Sequence, residues 1–187
     1  MSQEPVYVSL EFTPNPNTLK YSVNRVLIEK GVANFTSLEK AQGKSLLATE
    51  FFQIEGIEGV MIGKDFVTVT KSEAGDWDHV HKSASHTLES FLNENKGIAV
   101  DPEAIPGLSS GTTETEKQII DFIEKEVRPA VAMDGGDIVF DRYEDQVVYL
   151  HLQGSCAGCP SATATLKMGI ENRLRELLPE IKEVVSV

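Results

Sequence analysis

A stretch rich in proline, glycine, serine and threonine, from Lys96 to Thr113, divides this chain of 187 residues in two. The stretch has no sustained hydrophobic period, so it predicts a linker rather than a helix or a strand. We expect residues 1–96 and 113–187 to form domains, because each is long enough for one small core, and residues 97–112 to join them. No repeat relates the two domains.

The first domain combines strands and helices. Alternating apolar residues predict its strands, and Gly63-Lys64-Asp65 predicts the turn of a hairpin between the last two. The predicted strands are Val6–Phe12, Leu19–Val23, Val60–Ile62 and Phe66–Thr70. Apolar residues at helical spacing predict a short helix from Ser45 to Gln53 and a long one from Asp76 to Asn95.

The second domain has a clearer pattern of elements. Thr113 and Glu116 form a capping box that starts a helix, and Arg128-Pro129 with the turn 134–137 is expected to end it. Strands at 138–142 and 146–153 follow, then a helix over 161–178 and a last strand near the end. Four leucine and isoleucine residues of that helix are expected to face inward: Leu166, Ile170, Leu174 and Leu177.

These elements predict an α+β fold class with two small domains joined by a linker. The order in the C-terminal domain is α-β-β-α-β, and a CxxC loop lies between a strand and a helix. Both cysteines of the chain lie there, in Gly154-Ser155-Cys156-Ala157-Gly158-Cys159-Pro160. Two thiolates can bind one edge of a metal centre or close one disulfide, but four-thiolate sites need two more. For a site of that kind, the missing ligands must come from another molecule, most simply a second copy.

The loop suits a metal in three respects. Gly154 and Gly158 let backbone amides approach a sulfur-rich centre. Pro160 fits the first turn of a helix, and a helix N-terminus favours a thiolate at Cys159. From the residues alone, three kinds of chemistry remain open: a metal or cluster site, a thiol–disulfide oxidoreductase with Cys156 as nucleophile, and a zinc link between two chains.

Charge and composition narrow the function classes. The formal net charge of −12 disfavours nucleic acid, which needs clustered lysine and arginine. No run of about 18 apolar residues is present, as a membrane span would require. The segment Met1–Pro5 has the features of neither a signal peptide nor a transit peptide, so a cytoplasmic location with reduced thiols is expected.

Several motifs resemble one known family. Val127-Arg128-Pro129, the turn Asp134-Gly135-Gly136-Asp137 and the run Leu152–Ser161 closely resemble the C-terminal, NifU-like domain of Nfu proteins. The first domain resembles the N-terminal domain of Nfu-type iron–sulfur scaffold proteins. The residues that carry this second resemblance are Thr13–Asn17, Phe52–Ile57 and Gly63–Lys71. Because this two-domain layout is familiar in mitochondria and no transit peptide is evident, a bacterial, cytoplasmic member is expected.

The resemblance implies an iron–sulfur cluster scaffold or carrier and no enzymatic activity. It implies that Cys156 and Cys159 of two protomers bind one 4Fe–4S cluster, so that the cluster bridges a homodimer at an accessible site. Expected partners are upstream assembly proteins as donors and apo iron–sulfur proteins as acceptors. The first domain, which has no cysteine, is expected to dock or target.

Overall fold

The computed structural model describes residues 5–94, 99–102, 105, 112–158 and 160–187, and for residues 160–163 it describes the backbone alone. The chain separates into two compact units, residues 1–107 and 108–187. Both units combine a sheet with helices, which confirms the predicted α+β class. In the described ranges, no helix is long and apolar enough to cross a membrane.

A five-stranded antiparallel sheet forms the base of the first unit. Its strands are β1 Val8–Phe12, β2 Thr18–Val23, β3 Ala33–Phe35, β4 Ile57–Ile62 and β5 Phe66–Lys71. The order across the sheet is β1-β2-β5-β4-β3. The predicted hairpin is confirmed, since β4 pairs with β5 and the Gly63 N–H donates to the Phe66 carbonyl at 2.9 Å. Strand β3 was not predicted, because three residues are too few to show alternation.

In the described part of this unit, three α-helices accompany the sheet: α1 Leu38–Ala41, α2 Leu46–Phe51 and α3 Trp77–Asn93. The side chains of Ser45 and Asp76 cap α2 and α3, as expected of a hydroxyl and a carboxylate just before a helix. One face of α3 is buried in the core of the unit, and it carries Val80, Ala84, Leu88 and Phe91. The long predicted helix is therefore confirmed, although Asn95 lies outside the described residues.

Part of the predicted linker packs into the core of the first unit. Ala99 and Val100 are buried there, and Ile105 packs against the same core. The Ser45 hydroxyl donates to the Ala99 carbonyl at 2.6 Å, and the Asp101 N–H donates to the Lys44 carbonyl at 2.7 Å. The first unit therefore extends past residue 96. Residues 97, 98, 103, 104 and 106–111 of the predicted linker lie outside the described residues.

The second unit has the predicted order α-β-β-α-β. It contains α4 Glu114–Phe122, a π-helical turn Ile123–Val127, α5 Arg128–Met133, β6 Gly136–Glu144, β7 Val147–Gly154, α6 Pro160–Leu177 and β8 Glu183–Ser186. Strand β7 lies in the middle of the sheet, antiparallel to β6 and parallel to β8. Because parallel neighbours need a crossover connection, α6 has to run between β7 and β8.

Arg128-Pro129 and the turn 134–137 were together expected to end the helix that starts at α4. The helix passes Pro129 and ends at Met133, directly before that turn. Proline lacks an N–H and its ring crowds the carbonyl four residues earlier, so an ordinary α-helix would break there. The chain instead widens into the π-helical turn, where the Arg128 N–H donates to the Ile123 carbonyl. The helix thus passes Pro129 without a break, and Asp134 and Gly135 make the turn into β6.

The core of the second unit lies between its helices and one face of the sheet. From α6, Ile170 and Leu174 are buried and Leu166 packs against them, as predicted. Leu177 was predicted to face inward, but it is exposed, and Leu178 occupies the core instead. The Leu178 N–H still donates to the Leu174 carbonyl at 2.7 Å, which directs that side chain inward just beyond the end of α6.

Candidate functional site

The register of the β6–β7 hairpin brings the glycine turn beside the cysteine loop. Asp145 and Gln146 form a two-residue turn in which both φ angles are positive, at 52° and 66°. The strands pair from Glu144 opposite Val147 to Gly136 opposite Gly154, with a bulge between Phe140 and Arg142. Residues 134–137 and 154–156 are far apart in sequence, yet they are neighbours at the end of the hairpin.

Hydrogen bonds hold the two segments together. The Ser155 N–H donates to the Gly135 carbonyl at 3.1 Å, and its hydroxyl donates to the Asp134 carbonyl at 2.6 Å. Within the loop, the Cys156 N–H donates to the Gln153 carbonyl at 3.2 Å. Gly154 has a φ of 60°, in the left-handed region that glycine enters without strain. The loop before Cys156 is therefore fixed at both its backbone and its serine side chain.

Cys156 is buried rather than presented at the surface. Its side chain belongs to the core of the second unit, and only 6% of the residue is exposed. The sulfur lies against Gly136, where a Cβ atom would collide with it and would come within 3.1 Å of the Ser155 Oγ. Gly136 thus provides space for the sulfur. The expected accessible site is not what the structure shows at Cys156, although Ala157 and Gly158 are exposed.

An ion pair that the sequence did not reveal supports the glycine turn. The Arg128 guanidinium binds both carboxylate oxygens of Asp137, with Nε to Oδ1 at 2.8 Å and Nη2 to Oδ2 at 3.1 Å. The Asp137 residue is 2% exposed. Burial raises the pKa of the Asp137 carboxyl from its ordinary value, against the opposing effect of Arg128. The sequence does not reveal this pair, because nothing in it shows that Asp137 is buried or that Arg128, nine residues earlier, reaches it.

The second predicted ligand, Cys159, lies outside the described residues. Pro160 directly follows it and starts α6, so the predicted position of proline in the first turn of a helix is confirmed. Within the described ranges, no three histidine, cysteine or carboxylate side chains are grouped closely enough to bind a metal ion. His151 lies on β7 and contacts Asp141 and the Val187 carbonyl through its two ring nitrogens.

Comparison with known proteins matches both units. A family model described as a NifU-like domain matches residues 119–185. A second, described as the N-terminal domain of the scaffold protein Nfu/NifU, matches residues 8–95. The fold and the CxxC loop define a class of two-domain α+β proteins with a cysteine pair between a strand and a helix.

The chain belongs to the Nfu/NifU family of iron–sulfur cluster scaffold proteins. It is 36% identical, over 97% of its length, to the human "NFU1 iron-sulfur cluster scaffold homolog, mitochondrial", of which it covers 72%. It is 35% identical, over 96% of its length, to "NifU-like protein 4, mitochondrial" of Arabidopsis thaliana, of which it covers 65%. The Drosophila virilis scaffold homolog is 33% identical over the whole chain, which covers 63% of that protein.

Among solved structures, similarity extends to parts of the chain. A solution structure of a NifU-like protein from Saccharomyces cerevisiae has a TM-score of 0.48 and 24% identity, over 55% of this chain and 90% of that one. A crystal structure of a Staphylococcus aureus protein has a TM-score of 0.40 and 21% identity, over 46% of this chain and 100% of that one.

The comparisons contradict one expectation from the sequence. A bacterial, cytoplasmic member was predicted from the first residues of the chain. The similar proteins of human, Arabidopsis thaliana and Drosophila virilis are all named as mitochondrial. The prediction is wrong because it took the first few residues as evidence of location, whereas the similarity over the whole chain is to mitochondrial proteins.

Proposed function

We propose that this protein holds a 4Fe–4S cluster between two copies of itself and passes it to apo iron–sulfur proteins. Cys156 and Cys159 of each copy supply the four thiolates. The observation that carries the proposal is the cysteine count, because two cysteines per chain cannot complete a four-thiolate cluster. Membership of the scaffold family supports the general role, as the relatives are named iron–sulfur cluster scaffolds.

The chemistry of the loop suits a cluster as cargo. The start of α6 at Pro160 puts the positive end of a helix dipole next to the cysteine pair, and this favours thiolates over thiols. Exposed Ala157 and Gly158 leave room for a second copy to approach the loop. Because Cys156 is buried against Gly136, its side chain has to rotate outward, or the turn has to open, before its sulfur reaches the cluster.

Transfer then proceeds by exchange of one thiolate for another. An acceptor thiol loses its proton and binds iron, and the displaced thiolate of Cys156 or Cys159 takes up a proton. No electron is transferred, so the step needs neither an oxidant nor a reductant. The chain itself contributes the thiolates and the loop that presents them. No side chain has to act as a general acid, general base or covalent nucleophile.

The alternative of a thiol–disulfide oxidoreductase has less support. Such an enzyme needs an accessible thiolate to attack a disulfide. Cys156 is only 6% exposed, but it must become accessible for a cluster as well, so its burial does not separate the two functions. The names of the relatives favour the cluster. A zinc ion that links two chains would use the same four thiolates. Colour distinguishes it from an iron–sulfur cluster, because a zinc–thiolate site does not absorb visible light.

The test is anaerobic reconstitution of the purified chain with iron and sulfide. We expect a brown protein, a dimer by light scattering, and about four iron and four sulfide per dimer. The apo-protein should be mainly monomeric, because a charge of −12 on each chain opposes association and the cluster supplies the bridging bonds. A colourless protein, or four iron bound per monomer, would disprove the proposal. A stable apo dimer at micromolar concentration would show that a protein interface, not the cluster, joins the copies.

A further inference from the structure

The ion pair between Arg128 and Asp137 connects the start of α5 to the start of β6, where Gly136 contacts the Cys156 sulfur. Arg128 is the first residue of α5 and directly follows the π-helical turn. The wider turn rotates the residues after it about the helix axis, relative to their positions in an uninterrupted α-helix. Glu124, one turn earlier, lies 3.9 Å from the same guanidinium. Asp137 is the second residue of β6 and directly follows Gly136, against which the cysteine sulfur lies.

Stability alone does not explain this pair well. Removing a carboxylate and a guanidinium from water costs free energy that their attraction only partly returns. The two parallel hydrogen bonds from Arg128 to Asp137 do, however, fix the orientation of the pair, because the N–H groups of a planar guanidinium can donate to both carboxylate oxygens in only one arrangement. The pair is therefore better suited to hold the start of β6 in one place than to strengthen the fold.

We infer that Arg128 is a positioning residue for Cys156. By binding Asp137, it fixes the turn formed by residues 134–137 against the Cys156 sulfur. The sulfur therefore stays buried in the core of the second unit until this turn moves away. The path is continuous: Asp137 adjoins Gly136, Gly136 contacts the sulfur, and Ser155 is hydrogen-bonded to the carbonyls of Asp134 and Gly135. This inference rests on the proposed function, because it takes Cys156 as a cluster ligand.

Loss of the guanidinium has a definite consequence. Without Arg128, the buried Asp137 carboxylate has lost the cation that binds both its oxygens, and it turns toward water. Movement of Asp137 carries Gly136 and the turn away from the loop. The Cys156 thiol then becomes reachable more often in the folded protein.

The test measures the Cys156 thiol in apo-protein. In a Cys159→Ser background Cys156 is the one cysteine in the chain, so the rate of alkylation by iodoacetamide reports its exposure. We expect Arg128→Gln to raise that rate about tenfold or more, the factor for a shift of about 1.4 kcal/mol in the opening equilibrium. Arg173→Gln is the matched control: it removes a guanidinium that pairs with Glu126 and Glu176 on the surface of the same unit, and the rate should stay unchanged.

A second control separates positioning from general destabilisation. Ile119→Val weakens the same core without touching the turn, and its stability can be compared with that of Arg128→Gln by urea denaturation. Equal acceleration in both variants at equal stability would overturn the inference, and so would an unchanged rate in Arg128→Gln. The double variant Arg128→Gln with Asp137→Asn should slow alkylation again, because two amides can hydrogen-bond without an unpaired charge.

If Arg128→Gln does not fold, Arg128→Lys decides the question. Lysine keeps the charge but cannot bind both carboxylate oxygens in a fixed plane, so an intermediate rate is expected. A rate equal to that of the parent would contradict the inference. In the two-cysteine protein, Arg128→Gln should also take up a cluster during reconstitution faster than Arg173→Gln does, because its Cys156 sulfur is outward more often. Because alkylation is measured without a cluster, its result stands even if the parent protein binds none.

Discussion

Gly136 is the residue on which the environment of Cys156 depends most directly. It has no side chain, and the sulfur of Cys156 takes the place that a Cβ would fill. Most glycines of a turn are explained by backbone conformation, but here the requirement is space. A scaffold of this family therefore keeps one cysteine packed inside its own unit by leaving out a single methyl group.

Gly136→Ala should destabilise the second unit by about 1–3 kcal/mol, the usual cost of adding a methyl group to a packed site. It should also push the Cys156 side chain outward and increase its reactivity. Gly169→Ala is the matched control, because a Cβ at that exposed position on α6 meets nothing within 4 Å. That control should gain up to about 1 kcal/mol from helix propensity. Urea denaturation measures both, and equal effects would contradict the role given to Gly136.

Cys156→Ser should affect both the cluster and the fold. It removes a proposed ligand, and it places a hydroxyl where a thiol packs against the core, at a cost of about 1–3 kcal/mol. Cys156→Ala removes the same ligand without adding a polar group, so it should abolish the cluster and cost less stability. Reconstitution and urea denaturation of both variants separate binding from packing. A normal cluster in either variant would show that Cys156 is not a ligand.

Elements whose start depends on neighbouring residues were the easiest to predict. The capping box at Thr113 forms as predicted, and the helices predicted to begin at Ser45 and Asp76 are capped by those side chains, because a cap needs only a side chain and the next few amides. Pro129 was interpreted as a helix end by an equally local rule, but the π-helical turn accommodates it and packing continues the helix. Leu177 and Leu178 exchanged roles for a similar reason, since the phase of a helix at its last turn is set by the core.

The capping box of α4 should make stability depend on pH. Donation from the Thr112 hydroxyl and from the N–H groups of Thr113 and Thr112 lowers the pKa of Glu116 to about 2. A lowered pKa in the folded state stabilises the fold above the unfolded value, about 4.3, and that contribution is lost as the pH falls toward about 2. The effect should stay below about 1 kcal/mol, because Glu116 is only partly buried and solvent screens its charge.

Glu116→Gln should therefore flatten the pH dependence in that acid range. An amide oxygen can still accept from Thr113, so the loss of stability at neutral pH should be small. Glu114→Gln removes the same charge from the same helix turn and serves as the control. The measurement is urea denaturation at a series of acid pH values. If the two variants follow the same curve, Glu116 does not contribute through its carboxylate.

At the scale of the whole molecule, the boundary of the first unit has consequences for any fragment. Ala99 and Val100 are buried in its core, so a fragment that ends at residue 96 lacks them. We expect residues 1–107 to be more stable than residues 1–96 by about 2 kcal/mol or more, given the apolar area of these side chains. In the longer fragment, Val100→Ala should cost about 1–2 kcal/mol. Equal stability of the two fragments by thermal denaturation would show that this packing contributes little.

Separate cores in the two units lead to a prediction about their roles. Residues 108–187 contain both cysteines, and they should bind a cluster and dimerise as the full chain does. The first unit should instead raise the local concentration of the cluster at some acceptors. Transfer from the full chain and from the fragment to several apo-proteins is the measurement. Equal rates to every acceptor would remove a docking role, and a fragment that holds no cluster would show that the units are not independent.

The sequence predicted much of the fold but only part of the site. Patterning and caps are local, and they identified the order of elements in the second unit and the cysteine pair, but they missed β3 and α1 in the first unit. Burial of Cys156, the contact with Gly136 and the Arg128–Asp137 pair depend on strand register and on the path of a helix past a proline. No short window of sequence contains these relations, so they became visible only when the strands were paired.

The bulge between Phe140 and Arg142 has a consequence for how this chain can change in length. On the side of the hairpin turn, Arg142 pairs with Tyr149, and on the side of Gly136, Phe140 pairs with Leu150. Asp141, which lies between them in β6, therefore has no opposite residue in β7. If Asp141 paired with Leu150 instead of bulging, every pair from there to Gly136 would move by one, and Gly136 would lie opposite Ser155 rather than Gly154. Loss of the bulge residue alone would leave the register unchanged, whereas any other unmatched insertion or deletion that no bulge absorbs would bring a different residue to the cysteine sulfur. Homologues that differ in hairpin length should therefore differ at the bulge or in both strands together.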